Sequence, residues 1–143
     1  RELFHGIQLK PGKPTFFGQR EAATGARSVF GLPGNPASTF TVFDLLVRPL
    51  LQRLLGGTPP ATLPTVRLGA AHWPPNARLQ ACLCRLARHA DGGLVADVPR
   101  TSPSGDPFAL LAGDGYVLIP PNCKPGELSH AELVATTAGM ELP

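Results

Sequence analysis

Two lysines in a short proline- and glycine-rich segment are the first residues of this sequence that could do chemistry. The segment runs Lys10-Pro11-Gly12-Lys13-Pro14, and the whole chain contains only three lysines. The prolines restrict the backbone, and the glycine frees it at one point. Two ammonium groups presented from such a turn suit a phosphate or another oxyanion. From the residues alone, an exposed turn with solubilising lysines explains the segment equally well.

A second candidate site is the transition "VFGLPGNPASTF" at residues 29–40. Asn35 is well placed as a helix N-cap, and Pro36 at the first helical position loses no intrahelical hydrogen bond. Such a helix start leaves oriented N–H donors and a partial positive charge facing outward, while Gly34 lets a ligand approach the backbone closely. Any strand-to-helix connection needs a similar turn, ligand or not. The candidate ligand contacts here are Pro33, Gly34, Asn35, Pro36 and Ser38.

A third and weaker candidate is "TSPSGDP" at residues 101–107, where Ser102, Ser104 and the backbone around Gly105 could hydrogen-bond a polar ligand. An ordinary β-turn accounts for the same residues more simply. Metal ligation is not indicated, because the four histidines are scattered without ligand spacing. The pattern also identifies no catalytic residue.

The elements that must position these residues differ between the two ends of the chain. Residues 3–10, 15–18 and 28–32 predict short strands, the last of them buried, and residues 36–55 predict a helix with one narrow polar stripe and apolar sides covered by other elements. Pro49 should bend this helix, and Gly56 should end it. Residues 58–64 have a linker composition. The remainder alternates short apolar runs with turn signals, which predicts a small β-barrel or sandwich.

The cysteines and the charges exclude several classes of function. Cys82 and Cys84 are two apart on a predicted strand, so they share a face and suit core packing better than a zinc or redox pair. Residues 1–57 carry seven Lys/Arg against three Asp/Glu, and residues 58–143 carry six against seven. This excess is too small to indicate a nucleic-acid groove but fits a small anion. The longest apolar run is interrupted by charges and is too short to span a membrane.

Taken together, "LKPGKP", "FGLPGNPAS", the long apolar helix and the segment "RTSPSGDPFALLAGDGYVLIPPNCKPGELSHAELVAT" resemble the C-terminal portion of molybdopterin molybdenumtransferases, the MoeA and gephyrin E-domain family. The resemblance covers nearly the whole chain. It implies α/β structure followed by all-β structure: residues 1–57 end a three-layer α/β molybdopterin-binding domain, 58–64 form a linker and 65–143 form a small β-barrel-like domain. We therefore expect a fragment of a longer protein that is inactive alone.

The resemblance also implies a function and partners. Family members insert molybdate into adenylylated molybdopterin with Mg²⁺ and release AMP, and the resemblance places the magnesium ligands upstream of this chain. Lys10 and Lys13 would lie near molybdate or phosphate oxygens, Pro33 to Pro36 would line the cleft with Ser38 nearby, and Ser104 would match a serine of the β domain. The parent enzyme would be a cytoplasmic homodimer that binds neither nucleic acid nor membrane.

Two departures from the family pattern keep alternatives open. The family usually has a lysine at the position of Gly6 and often an arginine at that of Leu83, although a shift of two residues would place Arg85 there. These losses favour a divergent, non-catalytic paralogue that acts as an interaction or scaffold module. A generic phosphate-binding α/β fragment is a third hypothesis, but it leaves the β half unexplained.

Overall fold

The fold is described here from a computed structural model, which describes residues 1–100 and 113–135. Most of the regular structure in these ranges is β. The strands are β1 (Glu2–His5), β2 (Leu9–Lys10), β3 (Phe16–Arg20), β4 (Arg27–Gly31), β5 (Thr65–Ala71), β6 (Leu79–Arg88), β7 (Leu94–Val98), β8 (Gly115–Ile119) and β9 (His130–Ala135). One continuous helical segment comprises α1 (Pro36–Val42), a π-helical stretch (Phe43–Val47) and α2 (Arg48–Leu54). No helix in the described ranges is long and apolar enough to cross a membrane.

The first strands form a small antiparallel sheet in the order β1-β3-β4. The single strand predicted for residues 3–10 is wrong, because the chain turns at Gly6, whose φ of +87° is incompatible with an extended strand. The part before Gly6 joins the small sheet, and β2 joins the larger one. The strand predicted for residues 28–32 is present as β4, but the prediction that it is buried is wrong. Within the described residues β4 pairs only with β3, and Val29 is 45% exposed.

The predicted helix is confirmed, with its start at Pro36 and its end before Gly56, whose φ is +84°. A π-helical stretch lies directly upstream of Pro49, where the sequence predicted a bend, and it ends with the Arg48 N–H bonded to the carbonyl of Phe43. A wider turn makes room for a proline ring that would otherwise crowd the carbonyl four residues before it.

The polar stripe of this helix does not face solvent along its whole length. Thr41 and Asp44 are 1% and 2% exposed, whereas Leu54 and Leu55 are 67% and 87% exposed. The prediction that the apolar sides are covered is therefore wrong toward the end of the helix. The buried carboxylate of Asp44 lies 3.7 Å from Nε of Arg48, in the expected ion pair.

The second half closes into a five-stranded barrel in the order β6-β7-β5-β9-β8, with β8 returning to β6. Strand β6 makes this possible because its first half pairs with β8 and its end pairs with β7. All five strands of this barrel lie in the half for which the sequence predicted a small β-barrel or sandwich, so the predicted α/β structure followed by a β-barrel-like domain is confirmed. The helical turn predicted in "PFALLAG" lies outside the described residues except for Gly113.

The barrel interior and the joint with the first half form two separate apolar clusters. The interior cluster contains Trp73 and both predicted core cysteines, Cys82 and Cys84. The joint cluster draws residues from both sides of 58–64, a segment that holds neither helix nor strand. Its buried members are Leu9, Val42, Ala81, Tyr116 and Val134.

Candidate oxyanion-binding site

The two-lysine turn is closed by hydrogen bonds to the chain on either side of it. The N–H of Gly6 donates to the Thr15 carbonyl at 2.8 Å, and the N–H of Ile7 donates to the Lys13 carbonyl at 2.9 Å. The buried hydroxyl of Thr15 donates to the Gly12 carbonyl at 2.6 Å. Because these bonds use the backbone on both sides of Lys13, the turn presents its lysine side chains from a defined backbone.

Gly12 places this turn against the helix that follows "PGNP". Its φ is +132°, and a Cβ at this position would lie 2.8 Å from Cγ2 of Val42 and 3.2 Å from Cδ2 of Leu9. Val42 lies four residues after Ser38, so the two share one helix face, and both are buried. The structure therefore packs the two-lysine turn on the same helix whose first turn is the second candidate site.

The helix start has the local geometry that the sequence predicted. The Oδ1 of Asn35 accepts a hydrogen bond from the N–H of Ser38 at 3.4 Å, and Pro36 stands at the first helical turn. The hydroxyl of Thr39 donates to the carbonyls of Pro33 and Asn35, the latter at 3.0 Å. These bonds hold the strand-to-helix turn against the helix that it begins.

The candidate contacts of the helix start differ in their access to solvent. Pro33 and Ser38 are buried, Asn35 is half-buried, and Gly34 and Pro36 are exposed. A Cβ added at Gly34 would find no described atom within 4 Å. Gly34 is thus exposed, and the fold of the described residues does not require a glycine there.

The barrel contributes one residue to this region that sequence reasoning missed. Nη1 of Arg78 donates to the carbonyl of Leu9 at 3.0 Å, directly before Lys10. The charge of Lys10 also reaches the barrel strand, where it opposes the larger effect of burial, which raises the pKa of the Cys82 thiol to about 11. The only local signal for Arg78 is a cation just before an apolar strand, which is too common to indicate a site.

Ser104 and the rest of "TSPSGDP" lie outside the described residues, so this candidate stays a prediction. Within residues 1–100 and 113–135, no group of three His, Cys, Asp or Glu residues could hold a metal ion. The described residues therefore do not fit the Mg²⁺ that the resemblance implies. Burial raises the pKa of Cys84 to about 12, which favours the neutral thiol of a core residue over a nucleophile.

Both departures from the family pattern occupy positions with a role in the fold. Gly6 has φ +87°, a conformation that a lysine rarely adopts, and its N–H helps to close the two-lysine turn. Leu83 packs against the joint cluster, and a Cβ at Gly113 would lie only 2.4 Å from its Cδ1. Backbone conformation at Gly6 and packing at Leu83 thus account for the residues found there.

The fold and the site together define a class of protein. In this class a two-lysine turn packs on the helix of an α/β segment, and a closed barrel that follows also contacts this turn. Residues 1–53 match the family described as a probable molybdopterin binding domain. A molybdopterin molybdenumtransferase of Haemophilus influenzae is 47% identical over 53 residues, which is 37% of this chain and 12% of that protein.

Other relatives extend the similarity into the barrel. A molybdopterin molybdenumtransferase of Bacillus subtilis is 24% identical over 118 residues, which is 82% of this chain and 26% of that protein. The crystal structure of the molybdopterin biosynthesis MoeA protein of Pyrococcus horikoshii superposes with a TM-score of 0.67 at 27% identity, covering 92% of this chain and 32% of that one. Residues 1–53 thus match a probable molybdopterin binding domain, and the chain as a whole is similar to part of the MoeA-type molybdenum cofactor biosynthesis proteins. It spans about a quarter or less of the curated relatives named here.

Proposed function

We propose that this chain supplies the oxyanion-binding part of an enzyme that inserts molybdate into adenylylated molybdopterin. In this proposal Lys10 and Lys13 contact molybdate or phosphate oxygens, and Pro33 to Pro36 line the cleft with Ser38 nearby. Ser104 is assigned to the same ligand by resemblance alone. The proposed domains are residues 1–57 and 65–143, joined by 58–64, in a cytoplasmic homodimeric parent.

The observation that carries the proposal is the contact between Gly12 and Val42. It shows that two segments separated in sequence pack together, and both lie within the part of the chain that matches the molybdopterin binding domain. The contact lies at Val42, six residues beyond the first helical residue, so we propose that the lysine side chains extend toward the helix start, where their charges would add to its oriented N–H dipoles in binding anionic oxygens.

The part that these residues play is binding and orientation. The lysine ammonium groups would neutralise the oxyanion and hold its oxygens in place, while the open backbone at Gly34 would admit the ligand. Magnesium, when bound elsewhere in the enzyme, would neutralise the charge of the phosphate oxygens. The described residues of this chain do not provide its ligands.

The third lysine of the chain, Lys124, provides a matched control because it is exposed and lies in the barrel half. Isothermal titration of the full-length parent with adenylylated molybdopterin and with molybdate should show that Lys10→Gln and Lys13→Gln each weaken binding by about tenfold to a hundredfold. Lys124→Gln should leave the affinity unchanged. An equal loss in all three variants, or no binding by the wild type, would refute the proposal.

Exposed apolar side chains at the end of the helix favour a second candidate, a non-catalytic paralogue that acts as a protein-interaction module. Leu54 and Leu55 are 67% and 87% exposed, and exposed apolar surface often marks interaction sites. A strain lacking the gene distinguishes the two. The enzymatic function predicts lost activity of molybdenum-dependent enzymes, whereas the interaction module predicts normal activity.

A further inference from the structure

We infer that Arg78 is a positioning residue that holds the two-lysine turn of the first half in place from the barrel, an inference that rests on the proposed function. Its guanidinium donates to the Leu9 carbonyl at 3.0 Å, across 69 positions of sequence. Leu9 is 6% exposed, so this carbonyl lies where water is scarce. Lys10 follows Leu9 directly, so any movement of the Leu9 peptide moves the first lysine of the site.

The strand that carries Lys10 pairs with the barrel over only a short length. Strand β2 is only two residues long, and its register with β6 consists of Leu9 opposite Leu79 and Lys10 opposite Gln80. One further backbone bond, from the Leu79 N–H to the Gln8 carbonyl at 3.1 Å, ties its upstream side. Burial of Leu9 favours one register of this strand, and the charged Arg78 donor adds a strong hydrogen bond to the Leu9 carbonyl.

Arg78 can serve as an anchor because its own backbone is braced. Its N–H donates to Oδ1 of Asn76 at 3.0 Å, and the carbonyl of Asn76 accepts from the N–H of Asn122 at 2.7 Å. On the following residues, the buried amide of Gln80 donates to the Pro74 carbonyl at 3.1 Å. The start of β6 is thus fixed to the rest of the barrel, and Arg78 transmits that position to the lysine turn.

The test separates positioning from charge. Arg78→Met removes both the donors and the charge, and Arg78→Lys keeps the charge and one donor of similar reach. Arg88→Met removes a charge at the other end of the same strand. Backbone amide shifts of Gly12 and Lys13, measured by NMR, report the turn, and titration with molybdate reports the site.

Arg78→Met should shift the Gly12 and Lys13 amides and weaken molybdate binding by about tenfold. Arg78→Lys should restore most of the wild-type amide shifts and most of the molybdate affinity. Arg88→Met should change neither the amide shifts nor the affinity. Unshifted turn amides in Arg78→Met overturn the inference, whether or not binding weakens, because an effect on binding alone would be one of charge. If the wild type binds no molybdate but the amides shift as expected, the proposed function fails and the positioning role stands.

Native fluorescence of Trp73 shows whether each variant has folded, because this buried residue lies in the barrel core. If Arg78→Met does not fold, Arg78→Gln takes its place with the same expected outcomes, since its shorter amide cannot reach the Leu9 carbonyl.

Discussion

The contact between the two-lysine turn and the helix makes a sharp prediction for Gly12→Ala. The new methyl would lie 2.8 Å from Cγ2 of Val42 and 3.2 Å from Cδ2 of Leu9, inside normal carbon–carbon contact. Forcing extra volume into a packed site costs about 1–3 kcal/mol. Holding a non-glycine residue at φ +132° costs about 1–3 kcal/mol more. Because one backbone shift relieves part of both, we expect the free energy of unfolding to fall by about 2–4 kcal/mol.

Urea unfolding followed by fluorescence and by far-UV circular dichroism measures this loss. The chain contains one tryptophan, Trp73, which is 5% exposed and donates its Nε1–H to the Cys123 carbonyl at 2.9 Å. Its emission therefore reports the barrel, while the dichroism near 222 nm reports mainly the helix. Agreement of the two transitions would show that the joint and the barrel unfold together.

Gly25→Ala is the matched control, because Gly25 also has a positive φ, +105°, but no described atom lies within 4 Å of the added Cβ. Its free energy of unfolding should fall only by the cost of placing alanine at a positive φ, without the cost of overpacking. Adding Val42→Ala to Gly12→Ala removes the closest contact, so the double-mutant cycle should give a coupling energy of at least about 0.5 kcal/mol. Equal losses for Gly12→Ala and Gly25→Ala, together with strict additivity in the cycle, would show that the turn does not pack on the helix.

Three further predictions concern the core thiols, the helix start and the exposed helix end. The free energy of unfolding should fall as the pH rises from about 9 toward 12. Burial raises the pKa of Cys82 to about 11 and that of Cys84 to about 12. The thiols of the unfolded chain, which ionise near 9.0, therefore lose protons that the thiols of the native protein keep. Urea midpoints between pH 8 and pH 11 measure this, and a slope as steep in Cys84→Ala as in the wild type would contradict it. Asn35→Ala should lower the free energy of unfolding by about 0.5–2 kcal/mol and Asn35→Ser by much less; equal effects in urea titrations would exclude the capping role. Leu55→Gln should change the same quantity by less than about 0.5 kcal/mol, in contrast to about 2–5 kcal/mol for Leu9→Ala, and a large loss at Leu55 would show that its side chain is covered.

The features that the sequence predicted well are those that neighbouring residues determine. Asn35 and Pro36 act within one helical turn, so the start of the helix follows from their types. The barrel strands are equally local, because short apolar runs bounded by turn residues need no knowledge of their partners. The burial of Cys82 and Cys84 follows from their spacing on a strand that is covered on one side.

The features that the sequence did not predict depend on distant partners. Gly6 interrupts a run that looks like one strand, and only the sheets on either side show that the two parts separate. Thr41 is 1% exposed and interacts with the side chain of Tyr116, a residue 75 positions later whose pKa burial raises. Arg78 could not be selected because its acceptor lies 69 residues away.

The joint between the halves changes how the candidate site should be understood. The lysines belong to the first half in sequence, yet β2 pairs with β6, and Leu9 and Val42 share a cluster with Ala81 of the barrel. A substitution in the barrel can therefore alter the geometry of the lysine turn without touching a ligand. By the same reasoning, a cut within residues 58–64 that separated the halves would expose the joint cluster and release β2. We infer that the barrel helps to set the position of Lys10 and is thus part of the binding site's structural support.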